Sequence, residues 1–291
     1  DLPTLLQANP NIIVLRLTGF GQTGPYAGRP GFARIFEAMS GLTNLIGTPA
    51  SGPQHPNIPI GDLIAGLFGA FSIASALNSL RSHPDQGGFE IDLSATEAVF
   101  RLLDPLAVEY KLLGINRTHE GNRASYTAPS NMYQSQDGKW VTLVASSDAN
   151  VKRLVKVINK PEWQEDPRFT SNPQRCLNVK ELDVGIAEWF SQHTYVNIET
   201  LFNEAGIPYT KVYDISDVIA DPQVQSRNGI IELSDPELGN IPAPCVVPRI
   251  PGMVQVSIKT GPKTGEDNQD FYKGLGLSDD EIITLYQEKV I

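Results

Sequence analysis

Hydrophobic positions in the first third of the chain change from a continuous run to helical spacing. Residues 11–17 (NIIVLRL) form a β-branched run typical of a strand buried on both faces of a parallel sheet. A loop rich in glycine and proline follows over residues 18–31, at the strand end where open α/β sheets bind ligands. Residues 32–45 have helical spacing, with apolar side chains at positions 32, 35, 36, 39 and 42. The pattern predicts a strand, a cleft-lining loop and a helix.

A second helix and a second strand extend this predicted α/β domain. Residues 63–80 carry no charge and many small side chains, which predicts a helix buried in the core. Residues 89–93 (FEIDL) alternate like a strand, and residues 94–113 are predicted to be helical. The longest apolar run, residues 63–77, has 15 residues, whereas a membrane span needs roughly 20. We therefore expect no membrane association.

The middle of the chain predicts a small α+β domain. A hairpin is expected from residues 131–134 and 140–145, joined across an Asp-Gly turn. Ser278 and Glu281 form a capping-box signature for a final helix. The other predicted elements are helices at 148–158, 178–192, 196–205 and 217–221, strands at 209–213, 229–233 and 245–249, and the final helix at 278–289.

These elements suggest how the chain is divided. We predict four segments: a large domain over 1–114, a linker over 115–130, the small domain over 131–214, and a C-terminal segment over 215–291 that returns to the large domain.

Composition and charge exclude several classes of function. The 291 residues include 23 Lys+Arg and 33 Asp+Glu, for a net charge of −10, which argues against a nucleic-acid partner. Cys176 and Cys245 make neither a disulfide framework nor a metal motif, and the four histidines lack metal-ligand spacing. We therefore expect no metal, and a reducing, cytoplasmic compartment.

Asp62 is the sharpest candidate for chemistry, because it begins an apolar helix with no other charge up to residue 80. One interpretation is a helix N-cap, whose carboxylate accepts hydrogen bonds from free backbone N–H groups. The other is a carboxylate nucleophile, since a helix start beneath a glycine-rich loop orients and partly desolvates the group. The residues alone leave both open.

The first loop contains the spacing G-x-G-x-x-G at positions 19, 21 and 24. A dinucleotide-binding turn requires a helix to begin at the last of these glycines, with its N-terminus facing the pyrophosphate. Here Pro25 follows and the loop continues to residue 31, which argues against NAD and FAD. A loop that only lines a cleft is the alternative.

Six stretches, in order and running essentially from end to end, resemble the family III CoA-transferases, also called the CaiB/BaiF family. That family includes formyl-CoA and carnitine transferases and the α-methylacyl-CoA racemases. The matching stretches are RLTGFGQTGPYAGRPGF (16–32), EAMSGLTNLIG (37–47), GDLIAGLFGAFSIASAL (61–77), NKPEWQEDPRF (159–169), EAGIPYTKVYDISDVIADPQV (204–224) and the motif GEDN…LGLSDDEI (265–282).

The resemblance implies a fold, a mechanism and partners. The expected fold is a Rossmann-like large domain, here incomplete at its N-terminus, plus the small α+β domain, in an interlocked homodimer. Asp62 matches the family's nucleophilic aspartate, which takes part in an acyl anhydride and an aspartyl-CoA thioester. Acyl-CoA and a small carboxylic acid are then the substrates, and no tightly bound cofactor is expected.

Further site residues follow from the resemblance. The segment Pro30, Gly31, Phe32 and Ala33 matches a stretch that contacts CoA. Arg117 and Arg123, in the predicted linker, are candidates for binding a substrate carboxylate, because arginine pairs with carboxylates bidentately. Solvated linker charges are the alternative interpretation.

The chain also departs from the family pattern. Ala33 stands where an acid is usual, which removes a polar contact. Phe32 stands where the racemases have a proton-transferring histidine, and phenylalanine moves no proton. Residues 124–127 (ASYT) lack the glycines of the formyl-CoA transferase lid. Racemisation and formyl transfer are therefore disfavoured.

Family members carry about a hundred further residues before residue 11, and this chain begins Asp-Leu-Pro without Met. We expect the missing part to lie upstream or on another polypeptide. The first hypothesis is an acyl-CoA:carboxylate CoA-transferase. The alternatives are a CoA-binding or structural subunit that has lost catalysis, and an α-methylacyl-CoA racemase.

Overall fold

The computed structural model describes residues 1–253 and 258–291. They form two compact units, Asp1–Val212 and Tyr213–Ile291. The strands of the first unit are β1 (Ile13–Thr18), β2 (Gly47–Thr48), β3 (Gly52–Pro53), β4 (Phe89–Ser94), β5 (Ser130–Gln134), β6 (Trp140–Val144) and β7 (Tyr209–Lys211). Its helices are α1 (Leu2–Ala8), α2 (Ala33–Ser40), α3 (Leu42–Leu45), α4 (Ile60–Ser82), α5 (Ala95–Arg101), α6 (Pro105–Leu113), α7 (Asp148–Val157), α8 (Asn172–Leu177), α9 (Val179–Ser191) and α10 (Tyr195–Ala205), with 3₁₀ turns at Pro84–Gln86 and Pro161–Gln164.

The α/β part of the first unit is built on a parallel strand pair. β1 and β4 pair in register from Ile13 opposite Phe89 to Thr18 opposite Ser94, and helices α2 to α4 lie between them in the chain. Both predicted strands and the α/β class are confirmed. The glycine-rich loop and the start of α5 leave the strands at the same edge, which is the ligand-binding edge of such sheets.

Two predicted helices are each divided in two. The helix predicted over 32–45 breaks at Gly41, whose φ of 95° is left-handed and ends α2. The helix predicted over 94–113 breaks before α6, which has Pro105 at its start, because proline cannot donate the hydrogen bond that would continue α5. A short hairpin of β2 and β3, absent from the sequence prediction, lies between α3 and α4.

Helix α4 is longer and far less buried than predicted. Its buried residues are small: Gly61, Ala65, Gly69 and Ala76. Leu63, Leu67 and Phe71, spaced one turn apart, are exposed. The prediction of a buried helix is wrong for these positions, because the face of α4 that packs against the rest of this unit is the one with the small residues and the partly buried Ile64 and Phe68.

By length and composition alone, α4 could cross a membrane: it has 23 residues, and its most apolar window is 22% buried. The expectation that every apolar segment is too short for a span is therefore wrong. Core helices of soluble proteins also satisfy this criterion, so the absence of membrane association stays a prediction.

The apolar stripe of α2 also faces outward. The exposed large side chains at this helix are Phe32, Ile35 and Met39. The opposite face, formed by Ala33, Phe36, Glu37 and Ser40, is the buried one. A glutamate and a serine thus point into the protein while three large apolar side chains point away from it.

The predicted small α+β domain has its own core within the first unit. β5, β6 and β7 form an antiparallel sheet in that order, and the predicted hairpin is confirmed, with Tyr133 opposite Val141. Helices α7, α9 and α10 fall where the sequence predicts them. The core side chains include Leu143, Leu154, Ile186, Phe190 and Phe202.

The second unit consists of helices α11 (Ile215–Ala220), α12 (Pro222–Ser226), α13 (Asn268–Gly274) and α14 (Asp279–Gln287), with strands β8 (Ile230–Asp235) and β9 (Gly239–Pro244). The capping box of Ser278 and Glu281 is confirmed at α14. The strand predicted at 245–249 is wrong, since β9 lies over the preceding residues and pairs antiparallel with β8. β9 contains Pro242 and Pro244, which a two-stranded ribbon tolerates because both of its strands have a free edge.

Candidate active site

Asp62 lies in the first turn of α4 and is exposed. The helix begins two residues earlier, at Ile60, with Pro59 at the N-cap position. The N-cap interpretation of Asp62 is therefore wrong. Among residues 1–253 and 258–291, no side chain or backbone group forms a hydrogen bond or ion pair with the Asp62 carboxylate. The carboxylate is therefore fixed to a helix, near the positive end of the helix dipole, and is accessible to a ligand.

The residue before Asp62 is held by a buried glutamate. Glu37, on α2, is fully buried, and its Oε1 accepts the backbone N–H of Gly61 at 3.0 Å. Its Oε2 makes no hydrogen bond with any described residue and lies 3.4 Å from His55 Nδ1. His55 Nδ1 also lies 3.3 Å from Thr43 Oγ1. The sequence analysis missed Glu37 and His55, although a glutamate within a helix of otherwise apolar spacing was a signal.

The glycine-rich loop is tied down at the ligand-binding edge. The Gly19 carbonyl accepts the backbone N–H of Thr96 at 3.1 Å and its Oγ1–H at 2.8 Å. The backbone N–H of Gln22 donates to both carboxylate oxygens of Asp92, each at 3.0 Å. Asp92 belongs to β4 and Thr96 follows it, so these hydrogen bonds hold the loop against the end of that strand.

The ring of Phe36 explains why two positions of the loop are glycine. A Cβ on Gly19 would lie 2.3 Å from the Phe36 ring, and one on Gly31 would lie 2.6 Å from it. Phe20 packs edge-on against Phe36 with ring centroids 5.6 Å apart. The loop backbone therefore lies directly on α2, which begins at Ala33.

The segment predicted to contact CoA lies between this loop and α4. Pro30 is exposed, Gly31 is partly exposed and Phe32 is 83% exposed. Ala33 is buried at the start of α2, and a Cβ on Gly61 would lie 3.0 Å from its carbonyl oxygen. The segment thus adjoins the start of α4, next to Asp62; its contact with CoA stays a prediction.

The two candidate arginines are both paired with carboxylates of this chain. Arg117 donates from Nε to Glu109 at 2.6 Å and from Nη2 to the other Glu109 oxygen. Arg123 donates from Nε to Asp183 at 2.6 Å. They line one cavity of about 300 Å³ together with Tyr126. Neither is a freely solvated linker charge, and the substrate role of both stays a prediction.

Asp183 is a buried acid that the sequence analysis also missed. Besides Arg123, its carboxylate accepts the Tyr133 hydroxyl at 2.6 Å and the Asn131 amide at 2.9 Å. Burial, and then the charge of Asp183, raise the pKa of Tyr133 well above its usual value of 10.0. Asp183 lies on α9, 60 residues from Arg123, so sequence spacing gave no signal for the pair.

No metal centre was found in the part of the chain that the structure describes: it holds no group of three or more His, Cys, Asp or Glu side chains arranged to bind an ion.

Comparison with known proteins identifies the family. A model of CoA-transferase family III matches residues 1–268. The chain is 36% identical over 287 residues to the succinyl-CoA–D-citramalate CoA-transferase of Chloroflexus aurantiacus, covering 97% of this chain and 70% of that protein. It is 34% identical to the alpha subunit of the succinyl-CoA–L-malate CoA-transferase of the same bacterium, covering 99% of this chain and 68% of the subunit.

A solved structure gives the same result. The crystal structure of a CaiB/BaiF family protein from Brucella suis matches with a TM-score of 0.79 and 26% identity, over 94% of this chain and 71% of that one. The chain belongs to CoA-transferase family III. The predicted transferase class is thereby confirmed, with CoA thioesters and carboxylates as its substrates.

Proposed function

We propose that this chain transfers CoA from succinyl-CoA to a hydroxylated dicarboxylic acid, with Asp62 as the nucleophile. The support for the substrates is that relatives 31–36% identical are named for succinyl-CoA as donor and citramalate or malate as acceptor. The single observation that carries the role of Asp62 is its exposed carboxylate in the first turn of α4, which has no partner among the described residues. It directly follows Gly61, which packs against Ala33.

The reaction proceeds through four substitutions at carbonyl carbon. An Asp62 oxygen attacks the thioester of succinyl-CoA, the C–S bond breaks, and CoA thiolate leaves a succinyl-aspartyl anhydride. The thiolate attacks the Asp62 carbonyl carbon, which gives an aspartyl-CoA thioester and releases succinate carrying one former Asp62 oxygen. The acceptor carboxylate then displaces the thiolate, and the thiolate attacks the acceptor carbonyl, which restores Asp62.

The geometry suits this chemistry. One thioester replaces another, so the enzyme has to protect anhydrides from water rather than drive an uphill reaction. The start of α4 favours negative charge at Asp62 through the helix dipole. The acceptor's second carboxylate is proposed to enter the cavity lined by Arg117 and Arg123, where it competes with Glu109 or binds beside it.

A second copy of this chain is the proposed partner, in the interlocked homodimer implied by the family resemblance. Two helices expose large apolar side chains: Leu63, Leu67 and Phe71 on α4, and Met39 on α2. Exposed apolar patches mark surfaces that contact another protein or a membrane. Light scattering should give a dimer, and Leu67→Lys should weaken it. A monomer that sediments with phosphatidylcholine vesicles would contradict the proposed dimer, and would also contradict the predicted absence of membrane association and cytoplasmic location.

The nucleophile is tested by trapping. The protein is incubated with succinyl-CoA and then treated with borohydride, which reduces a thioester or anhydride to an alcohol, and peptides are analysed by mass spectrometry. The proposal requires reduction at Asp62, and loss of both adduct and transfer in Asp62→Ala. Transfer with an unmodified Asp62 would eliminate the mechanism.

Two outcomes favour the other hypotheses. Binding of CoA without exchange of labelled CoA would indicate a subunit that has lost catalysis. Loss of the α-deuterium from a 2-methylacyl-CoA would indicate a racemase, and Phe32 leads us to expect none.

A further inference from the structure

The segment that carries Asp62 is fastened at two points to one buried carboxylate. Glu37 Oε1 accepts the N–H of Gly61, and Glu37 Oε2 lies at ion-pair distance, 3.4 Å, from His55 Nδ1. His55 and Gly61 are six residues apart and flank the proline-containing stretch that leads into α4. We infer that Glu37 is a positioning residue for the transferase reaction: it clamps residues 55–61 onto α2 and thereby fixes where the Asp62 carboxylate stands. This inference rests on the proposed nucleophilic role of Asp62.

Glu37 provides a hydrogen-bond acceptor that a residue serving only to pack the core would not need. The first N–H groups of a helix have no partner inside the helix, and Pro59, at the N-cap of α4, provides no side-chain cap. Glu37 supplies that partner from a different helix. A fully buried carboxylate is costly unless its hydrogen bonds hold it, yet one oxygen of Glu37 makes no hydrogen bond to any described group. An apolar side chain would fill the same space without that cost.

Close packing around Gly61 also restricts the backbone next to Asp62. A Cβ on Gly61 would lie 3.0 Å from the Ala33 carbonyl oxygen and 3.4 Å from Glu37 Cγ. Gly61 is therefore pressed against both the start of α2 and the clamping side chain. His55 is itself held between Glu37 and Thr43 Oγ1, 3.3 Å away, so the stretch before α4 is held at its outer end as well.

Two substitutions separate positioning from packing. Glu37→Met keeps the volume but removes the acceptor and the charge. Glu37→Gln keeps an amide oxygen that can accept the Gly61 N–H but loses the charge near His55. Glu90→Gln is the matched control, because Glu90 is a half-buried acid of the same unit, paired with Arg16 at 2.6 Å on the β1–β4 sheet.

Hydrogen exchange of peptides covering residues 55–63 tests the clamp without using activity. We expect exchange at Gly61 to quicken about tenfold or more in Glu37→Met, because a hydrogen bond to a charged acceptor is lost. Glu37→Gln should retain most of the protection, and Glu90→Gln should match the wild type. Unchanged exchange in Glu37→Met would overturn the inference. Should that variant not fold, His55→Gln must quicken exchange at Gln54, whose N–H donates to the Ile46 carbonyl at 2.8 Å, or at Gly61. Unchanged exchange at both amides overturns the inference equally.

The rate at which succinyl-CoA loads Asp62, measured by the borohydride trap, tests positioning. At saturating succinyl-CoA we expect Glu37→Met to load about 10²-fold more slowly, the cost typical of a misplaced catalytic group, with KM changed by less than about twofold. Glu37→Gln should recover most of the rate. Equal loading in Glu37→Met and wild type, or a change confined to KM, would overturn the role. A wild type that never loads would instead overturn the proposed function, while the exchange experiment still decides the clamp.

Discussion

Replacing Asp183 by alanine tests the polar network that holds Arg123. Asp183 is 9% exposed and accepts three hydrogen bonds, from Tyr133, Asn131 and Arg123. Alanine removes all three acceptor contacts at once. The Tyr133 hydroxyl, which is buried, and the Arg123 guanidinium are then left without their carboxylate partner.

The expected cost follows from burial. Breaking a buried ion pair by removing one partner costs about 3–5 kcal/mol. Arg123 is 31% exposed, so water recovers part of its solvation, and we expect the lower end of that range, about 3 kcal/mol. Asp183→Asn keeps one acceptor oxygen and should cost less. The matched control is Glu188→Gln, which changes an exposed acid on the same helix as Asp183 and should cost less than about 1 kcal/mol.

Unfolding in urea, followed by tryptophan fluorescence, measures these costs. The signal reports on the α+β part of the chain, which contains Asp183, because all three tryptophans, at positions 140, 163 and 189, lie there. A double-mutant cycle with Tyr133→Phe should give a coupling above about 1 kcal/mol, since the two residues share one hydrogen bond. Asp183→Ala with a midpoint and slope like those of Glu188→Gln would refute the reasoning, because the Asp183 carboxylate would then contribute no more than a surface charge.

Three further predictions follow. Gly31→Ala places a Cβ 2.6 Å from the Phe36 ring, so it should lower the thermal midpoint, and Phe36→Leu in the same chain should restore part of it; an unchanged midpoint contradicts the packing. Because the pKa of Tyr133 is raised, the folded state keeps a proton that the unfolded state loses above about pH 10. The free energy of unfolding should therefore fall above that pH by up to about 1.4 kcal/mol per pH unit. The fall should be less steep in Tyr133→Phe, and equal slopes in the two proteins contradict this prediction. Arg117→Lys should raise KM for the acceptor acid about tenfold and leave KM for succinyl-CoA unchanged; equal changes in both contradict the proposed subsite.

Local patterns were enough to predict most elements of the first unit. The β-branched run of β1, the alternation of β4 and the Asp-Gly turn between β5 and β6 depend on neighbours in sequence, and all three lie where expected. The helix breaks at Gly41 and Pro105 were also encoded locally, in residues whose effect on helices is known.

The outward faces of α2 and α4 could not be predicted in the same way. Helical spacing places Phe32, Ile35 and Met39 on a common side of α2, but hydrophobicity alone does not tell whether that side meets this chain's core or another surface. In the structure it is exposed, while Glu37 is buried. A pattern that treats every apolar stripe as core-facing therefore hides the acid that contacts the segment before Asp62.

The candidate site was predictable where a residue's role depends on its place in a helix, and not where it depends on a distant partner. Asp62 was found because it is the lone charge at the start of an apolar helix. Arg123 and Asp183 meet across 60 residues, and Glu37 and Gly61 across 24. Such pairs are set by how helices pack, which spacing along one chain does not contain.

Transfer of oxygen from the acceptor carboxylate to Asp62 is the decisive test of whether Asp62 is the nucleophile. The protein turns over succinyl-CoA with an acceptor acid whose carboxylate oxygens are heavy isotope, and the peptide containing Asp62 is weighed. We expect Asp62 to gain one heavy oxygen in a single turnover and to carry two after many turnovers, because breakdown of the acceptor anhydride leaves one acceptor oxygen on the aspartate each time. Acceptor-CoA formed while Asp62 stays unlabelled would contradict it.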